Sequence, residues 1–317
     1  GASQVLAEKV ALMTDGNFTI DVNAPGELVP GLQVLDAVKS GAAEVGQSAS
    51  YYYIGKNPVL AFDTCVPFGL TARQQAAWLL GGGGLELLRP VFADFGVLNF
   101  PGGNTGVQMG GWFNKEMNSA SDFKGLKMRI PGLGGDVLAK LGASTVSLPG
   151  SQIYENLVSG AIDATEWVGP WNDFFMKFYE AAKYYYYPGM HEPASQLTLG
   201  MNKKWWDGLS KTHQAIIEGA CNEENSRMMA ETNANNGTYL DRLIKDHGVK
   251  VRSFNDDIYD SFGKAAEEVF EETRAHSPLA AKIHDSFAAT RADVGRWMLL
   301  SDAGYINQRN RVLGIEV

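Results

Sequence analysis

The chain repeats one short unit, and this repeat constrains the fold more than any other feature of the sequence. The segment DAVKSGAAEVGQSAS at residues 36–50 aligns with ENLVSGAIDATEWVG at residues 155–169, an offset of 119 residues. Both copies contain the tripeptide Ser-Gly-Ala, which starts at Ser40 in the first copy and at Ser159 in the second. A predicted strand, a Pro-Gly turn and a predicted helix precede each copy. A chain that uses the same unit twice is expected to form two lobes of similar build.

Strand and helix patterns alternate along both halves of the chain. This alternation predicts an α/β fold with mainly parallel sheets that are covered on both faces. From residue 211 onward the pattern is mostly helical. The predicted strands cover residues 18–22, 43–48, 126–130, 145–148, 164–167 and 196–201, and the predicted helices cover residues 5–14, 32–39, 135–141, 151–159 and 258–276.

The two predicted lobes exchange chain segments, with a first crossover near residues 100–104. Lobes joined by more than one crossover enclose a cleft, and α/β sheets bind ligands at the carboxyl ends of their strands. A C-terminal helical extension is predicted at residues 286–317. We expect lobe I to contain residues 1–103 and to continue at about 196–247, and lobe II to contain residues 104–195 and to continue at about 248–285.

Composition argues against several classes of protein. A net charge of −9, from 27 basic and 36 acidic residues, disfavours nucleic acid as a partner. No apolar run reaches the length of about eighteen residues that would predict a membrane span. The only cysteines, Cys65 and Cys221, form no metal or redox motif. They are predicted to be free buried thiols rather than a disulfide.

Sequence motifs of common enzyme classes are absent. The chain contains no G-x-S-x-G, H-E-x-x-H or G-x-x-x-x-G-K-[ST] pattern. The segment GLGGDV at residues 132–137 follows a predicted strand but lacks the third glycine of a dinucleotide-binding loop. The five histidines, among them His191, are scattered and are interpreted as surface or hydrogen-bonded structural residues. The sequence therefore offers no pairing of a nucleophile with a base.

Polar residues at predicted strand ends define a candidate site. Arg129, in the segment KMRIPG, is the only arginine between Pro90 and Asn225. A guanidinium stays charged, so burial without a partner would be costly. Arg129 therefore either pairs with Glu166 or Glu192, or binds the carboxylate of a ligand through two parallel hydrogen bonds. The sequence leaves both interpretations open.

Oxygen-bearing side chains accompany Arg129. The carboxylates of Glu166 and Glu192, with the amide oxygen of Gln108 in the glycine-rich segment NTGVQMGGW, are ligands of the type that hard cations prefer. These residues predict a metal site beside Arg129. Four aromatic residues are candidates for the apolar walls of the same site: Tyr51, Tyr52, Tyr53 and Trp112.

Longer segments resemble a known family. The segments APGELVPGLQVLDAV, FKGLKMRIPGLGGDVLAKLG, SLPGSQIYENLVSGAIDATEWVGP and MHEPASQLTLGMNKKWWDGLS are similar to the substrate-binding proteins of tripartite ATP-independent periplasmic (TRAP) transporters, the DctP-like family. The segments ASYYYIGKNP, GNTGVQMGGWFNKE and ATEWVGPWND resemble the branch that binds 2-oxoacids or 2-hydroxyacids together with a metal ion. The resemblance runs from about Gly1 to the C-terminus.

The resemblance implies a fold and a function. The fold is the two-lobed periplasmic-binding-protein-like fold, with a cleft between the lobes and a long helical C-terminal part. The function is that of a periplasmic receptor, not an enzyme, which delivers a small carboxylate ligand to the membrane subunits of a TRAP transporter. Family members begin with a strand ahead of the first helix, whereas this chain starts within that helix. We therefore expect any pocket residues from that strand to be missing from the sequence.

The resemblance also implies roles for individual residues. Arg129 would hold the ligand carboxylate. Sodium or calcium would be held by the side chains of Gln108, Glu166 and Glu192 and by the backbone carbonyl of Trp167. This set contains neither His nor Cys, which disfavours zinc, copper and iron. The same comparison implies ligand contacts from Gln108, Tyr53, Trp167 and Glu192 as well.

The resemblance further implies self-association. Members of the metal-binding branch include dimers joined through C-terminal helices. In this chain Trp297, Met298, Leu299 and Leu300 form an apolar cluster near the C-terminus, as is typical of a contact surface. A homodimer is therefore expected.

Two other functions remain open at this stage. One is a metal-dependent α/β enzyme acting on a 2-oxoacid, with the metal as Lewis acid. The other is a receptor for a sugar or an amino acid. An amino acid would require a carboxylate for its ammonium group, whereas the carboxylates here are assigned to the metal. The sequence does not distinguish sodium from calcium, or pyruvate from longer 2-oxoacids.

Overall fold

The computed structural model of the protein describes residues 1–315. Two separate β-sheets form its frame. The strands are β1 Val45–Ser48, β2 Val97–Asn104, β3 Gly111–Phe113, β4 Lys127–Arg129, β5 Ser144–Val146, β6 Ala164–Thr165, β7 Tyr184–Tyr187, β8 Gln196–Asn202 and β9 Lys250–Ser253. The three-stranded sheet has the order β1-β8-β2, and the six-stranded sheet has the order β5-β4-β6-β3-β7-β9. Each sheet is the centre of one lobe, so the prediction of a two-lobed α/β fold is confirmed.

Helices cover the sheets and dominate the C-terminal part. They are α1 Ala2–Met13, α2 Val34–Ser40, α3 Ala61–Thr64, α4 Ala72–Ala76, α5 Gly84–Ala93, α6 Gly132–Lys140, α7 Gly150–Val158, α8 Pro170–Met176, α9 Lys203–Asp207, α10 Lys211–His247, α11 Asp256–Arg274, α12 Pro278–Met298 and α13 Gly304–Leu313. Shorter 3₁₀ turns include Ser50–Tyr53, and π-helical turns lie at Ala77–Gly81 and Leu299–Ala303. In the part of the chain that the structure describes, no helix is both long and apolar enough to cross a membrane.

The chain passes between the sheets several times. It leaves the three-stranded sheet after β2, returns to it with β8, and re-enters the six-stranded sheet with β9 at the end of α10. Helix α10 packs against β2, α1 and α8, so it contacts elements of both lobes. The predicted lobe boundaries stay a prediction, and residues 316–317 of the predicted extension lie outside the described residues.

The prediction of mainly parallel sheets is wrong for the smaller sheet. Strand β8 pairs antiparallel with both β1 and β2. The larger sheet is mixed: β4 is parallel to β5 and β6, whereas β3 is antiparallel to β6 and β7. The reason is topological, because β8 arrives from the other lobe and not through a helical crossover, which is the connection that parallel pairing requires.

One local prediction also differs from the structure. Residues 18–22 are not a strand; Phe18 instead packs its ring on those of Trp205 and His213. Residues 100–104, near which the first crossover is predicted, form the end of β2, after which the chain leaves the three-stranded sheet. Gly102 lies so close to β8 that a Cβ there would come within 2.4 Å of the Leu199 side chain. The glycine therefore serves strand packing and not a turn.

The cores are apolar and closed. The largest cluster of buried side chains joins the segment after β1, helices α5, α6, α11 and α12, and strand β4. Cys65 and Cys221 are both buried and free, as predicted. At the C-terminus the apolar side chains of Trp297, Leu299 and Leu300 are exposed.

Candidate functional site

Arg129 ends strand β4 and is almost completely buried, with 1% of its surface exposed. Its Nε donates to the carbonyl of Leu148 at 3.2 Å, and one terminal nitrogen donates to the carbonyl of Glu166 at 3.1 Å. The other terminal nitrogen donates to the hydroxyl of Tyr52 at 3.2 Å. The guanidinium also lies over the Trp167 ring, 5.3 Å from its centroid. Arg129 is thus held rigidly at a strand end.

Glu166 is the charged partner of Arg129. It follows β6, which runs parallel to β4 with Thr165 beside Arg129, so both side chains lie at the same edge of the sheet. One carboxylate oxygen of Glu166 forms an ion pair with Arg129, and the other lies 3.3 Å from Nε2 of His191. Of the two interpretations that the sequence left open, the internal pairing of Arg129 is present in the structure.

Glu192 is a buried carboxylate without a comparable partner. It is 2% exposed, and neither of its oxygens accepts a hydrogen bond within the described chain. Burial raises its pKa to about 7, and the nearby negative charge of Glu166 contributes to the same shift. The neighbouring His191, Ser195 and Tyr51 act in the opposite direction and lower the pKa of Glu192.

Gln108 supplies a third oxygen of this kind. Its amide nitrogen donates to Thr105 Oγ1 at 3.1 Å, whereas its amide oxygen is buried and has no partner among the described residues. Buried polar atoms are normally hydrogen-bonded, so three free oxygens in one place require an explanation. A cation bound among the oxygens of Gln108, Glu192 and Glu166 would satisfy them, and this donor set fits sodium or calcium.

Backbone hydrogen bonds hold the site loops together. The Gln108 N–H donates to the Glu192 carbonyl at 3.0 Å, and the Gly189 N–H donates to the Gln108 carbonyl at 3.0 Å. The Met109 N–H donates to the Val168 carbonyl at 3.1 Å. The glycine-rich loop is therefore fixed both to the segment before β8 and to the segment after β6.

His191 was not recognised as a site residue from the sequence. It is buried, and its imidazole nitrogen, with one carboxylate oxygen each from Glu166 and Glu192, forms a group whose atoms lie within 4.8 Å of one another. Burial lowers the pKa of His191, but the hydrogen bond to Glu166 and the negative charges of Glu166 and Glu192 together leave the pKa raised. Its position next to Glu192 in the sequence was the one available signal.

The aromatic residues divide into two groups. The Tyr52 hydroxyl reaches Arg129, and Tyr51 lies near Glu192. Tyr53, which was predicted to contact the ligand, points into its own lobe: its hydroxyl donates to Ser48 Oγ at 2.9 Å and accepts from the Leu35 N–H at 3.1 Å. The structure does not bring Tyr53 to the site.

Trp112 and Trp167 also differ in role. Trp112 is fully buried and stacks on Tyr185 with ring centroids 4.0 Å apart, so it belongs to the core and not to a pocket wall. Trp167 is half-buried and packs over Gly150, where a Cβ would come within 2.6 Å of the indole ring. Trp167 thus packs between Arg129 and Gly150. A side chain at position 150 would clash with the indole ring, so glycine is required there.

Comparisons with known proteins consistently find similarity to bacterial solute-binding proteins. The model of the DctP family, described as bacterial extracellular solute-binding protein, family 7, matches residues 1–276. The monocarboxylate 2-oxoacid-binding periplasmic protein of Nostoc sp. is 47% identical over 305 residues, which cover 96% of this chain and 84% of that protein.

Two solved structures are similar over nearly the whole chain. A TRAP transporter solute-binding protein from Bordetella bronchiseptica has a TM-score of 0.97 and 39% identity, with 99% of this chain and 93% of that chain covered. It is a mixed-occupancy dimer in which an active site with copurified calcium and picolinate contrasts with an apo site. A TRAP periplasmic solute-binding protein from Pseudoalteromonas atlantica, with bound sodium and pyruvate, has a TM-score of 0.94 and 42% identity, with 96% and 93% covered.

Proposed function

The chain belongs to the DctP family of bacterial extracellular solute-binding proteins, and on that premise we propose that it is the periplasmic receptor of a TRAP transporter for a small 2-oxo or 2-hydroxy monocarboxylate. Pyruvate is an example of such a 2-oxo acid, and lactate is an example of such a 2-hydroxy acid. Relatives with this role are named periplasmic, and the proposed partners are the membrane subunits of the transporter. The observation that carries the proposal is the set of three buried oxygens on Gln108 and Glu192 that have no hydrogen-bond partner among the described residues.

Arg129 is proposed to bind the carboxylate of the ligand. Its guanidinium is fixed by Leu148 and by Glu166, so its orientation does not depend on the ligand. The terminal nitrogen that donates to Tyr52 has a second N–H group, which no described residue accepts and which a carboxylate oxygen of the ligand can accept. The Tyr52 hydroxyl, which contacts the same guanidinium, is the adjacent donor from the other lobe.

The cation is proposed to be sodium or calcium. Gln108, Glu166 and Glu192 would hold it through their side chains, and Trp167 would hold it through its backbone carbonyl. One carboxylate oxygen of the acid and its neighbouring oxo or hydroxyl oxygen would chelate the bound cation. His191 hydrogen-bonds to Glu166 and so orients that carboxylate.

A calorimetric titration tests this function. The protein would be stripped with a chelator in sodium-free buffer and titrated with pyruvate, lactate and longer 2-oxoacids, with and without each cation. We expect the affinity for the favoured acid to rise at least tenfold, about 1.4 kcal/mol, when the cation is restored. Sugars and amino acids serve as controls and are expected to give no binding heat.

Three outcomes would contradict parts of the proposal. Equal affinity for the acid in cation-free buffer would refute the role of the cation. Binding of none of the 2-oxo or 2-hydroxy acids would refute the ligand class. Steady consumption of pyruvate in the presence of metal would indicate an enzyme, with the cation as Lewis acid, instead of a receptor.

A further inference from the structure

Asp173 is a buried carboxylate that forms no ion pair within residues 1–315. Its Oδ1 accepts the backbone N–H groups of Val168 and Gly169, both at 3.0 Å. Its Oδ2 accepts the indole N–H of Trp112 at 2.9 Å and the hydroxyl of Tyr185 at 2.8 Å. One side chain thus accepts four hydrogen bonds, which use the acceptor capacity of both carboxylate oxygens.

The four donors connect a loop to a rigid part of the sheet. Trp112 and Tyr185 lie opposite each other on β3 and β7, and their stacked rings are fully buried. Val168 and Gly169 lie in the loop after β6, directly after Glu166 and Trp167. Asp173 therefore ties the loop that carries the proposed cation ligands to two fixed strands.

The hydrogen bond to Val168 has a specific geometric effect. The N–H of Val168 and the C=O of Trp167 belong to the same planar trans peptide group, so they point in opposite directions. Fixing the N–H toward Asp173 therefore fixes the carbonyl away from it. Within the described residues no hydrogen bond is made to the Trp167 carbonyl, which leaves its oxygen free for a ligand.

We propose that Asp173 is a positioning residue that fixes the peptide group between Trp167 and Val168 and so directs the Trp167 carbonyl toward the cation. This inference rests on the proposed function, because that function requires the carbonyl as a ligand. Asparagine at position 173 would keep the shape of the side chain but turn one acceptor into a donor. Either the backbone pair or the Trp112 and Tyr185 pair would then lose its acceptor.

Terbium luminescence provides the test, because Tb³⁺ is a hard cation that substitutes for calcium and a nearby tryptophan can excite its emission. Luminescence lifetimes in H₂O and D₂O count the water molecules on the bound ion. In Asp173→Asn the carbonyl ligand should be replaced by water. We expect about one additional bound water and an affinity for Tb³⁺ and Ca²⁺ that is at least tenfold lower.

Asp63→Asn is the matched control. Asp63 is equally buried, forms no ion pair within the described chain, and accepts hydrogen bonds from Ser50, Asn99 and Thr198 in the other lobe. It contacts no backbone group of the loop after β6. We expect Asp63→Asn to lower the melting temperature, as a purely structural carboxylate would, while the count of bound waters stays at the wild-type value.

The possible outcomes distinguish a failure of the role of Asp173 from a failure of the proposed function. If the wild-type protein binds neither Tb³⁺ nor Ca²⁺, the proposed cation site is wrong and the inference is overturned with it. If the wild-type protein binds and Asp173→Asn matches it in water count and affinity, only the inference is overturned. Should Asp173→Asn fail to fold, Tyr185→Phe keeps the carboxylate and removes one donor. A smaller loss of affinity in Tyr185→Phe would support the inference, and an unchanged affinity would overturn it.

Discussion

Glu192 destabilises the folded protein when no cation is bound. Its charge is buried, neither of its oxygens accepts a hydrogen bond within the described residues, and Glu166 repels it. Glu192→Gln should therefore raise the free energy of unfolding of the cation-free protein by about 1–3 kcal/mol. The same change should lower calcium affinity at least tenfold. Urea unfolding in the presence of a chelator and calcium titration measure the two effects.

Glu224 provides the matched control for this prediction. It is as deeply buried as Glu192, but it forms an ion pair with Arg227 at 2.8 Å on helix α10. Glu224→Gln should destabilise the protein and leave calcium affinity unchanged. If Glu192→Gln behaves in the same way, Glu192 is a structural residue and not a cation ligand.

Arg129 binds several acceptors at once, which a lysine cannot reproduce. A lysine would keep the charge beside Glu166 but offers one nitrogen in place of a fork. Arg129→Lys should fold and should bind pyruvate at least tenfold more weakly, as measured by calorimetry. Arg129→Ala removes the ion pair of the buried Glu166 and leaves only His191 beside its carboxylate, so it should in addition destabilise the fold by about 3–5 kcal/mol. Wild-type affinity in Arg129→Lys would mean that Arg129 serves only to pair with Glu166.

Individual site residues could be predicted from the sequence only where their chemistry was distinctive. A solitary arginine before a Pro-Gly turn was noticeable, but its contact with Glu166 depends on which strands become neighbours. The resemblance implied Tyr53 as a ligand contact, whereas Tyr52 is the residue that reaches Arg129. Side chains in a 3₁₀ turn are about 120° apart, and the sequence does not state which of them faces the other lobe. The burial of His191 could not be predicted either, because its neighbours Arg129, Gly134 and Glu166 come from distant segments of the sequence.

Helix α6 places its first turn against the site. Gly132 has a φ of +64°, and a Cβ on Gly134 would come within 2.6 Å of the His191 Cβ. Gly134→Ala should therefore displace His191 and Glu192 and lower calcium affinity. Gly219→Ala on helix α10 is the control, because nothing lies within 4 Å of its Cβ position. That change should raise the free energy of unfolding by about 0.5–1 kcal/mol without affecting calcium. Equal calcium affinity in both variants would contradict the packing argument.

Helices were predicted more reliably than sheet topology, for a physical reason. The apolar spacing of a helix such as α11 is a local property of the sequence. Strand direction is not local: β8 reads as an ordinary strand, and only the return of the chain from the other lobe makes its pairing antiparallel. Residues 18–22 have strand composition, but no neighbouring strand is available to pair with them.

At the scale of the whole molecule, the site spans the two lobes. Tyr52 follows β1 of the smaller sheet, whereas Arg129 ends β4 of the larger sheet, so their hydrogen bond at 3.2 Å crosses the cleft. A ligand bound between them should favour the closed arrangement, since it contacts both lobes only when they meet. Small-angle scattering should give a smaller radius of gyration with pyruvate and calcium than without. Identical scattering in both conditions would contradict closure.

The exposed apolar surface at the C-terminus predicts a homodimer. Trp297, Leu299 and Leu300 are 61%, 70% and 76% exposed, and a similar protein from Bordetella bronchiseptica is dimeric. Leu300→Asp should yield monomers, because it places a charge in the contact, whereas Leu12→Asp on helix α1 should not, although Leu12 is 74% exposed. Size-exclusion chromatography with light scattering distinguishes the species. A monomeric wild-type protein at micromolar concentration would refute the prediction.

The site contains two carboxylates but one arginine, and this charge balance constrains the net charge of the ligand that the protein can bind. When a bound cation keeps Glu166 and Glu192 ionised, these two carboxylates and Arg129 together carry one negative charge. A monocarboxylate alone would add a second, and uncompensated charge is strongly disfavoured away from water. A calcium ion and one monocarboxylate together bring the sum to zero, whereas a dicarboxylate with the same ion does not. With calcium, electroneutrality therefore favours a monocarboxylate over a dicarboxylate, whereas with sodium the same sum for a monocarboxylate leaves one negative charge.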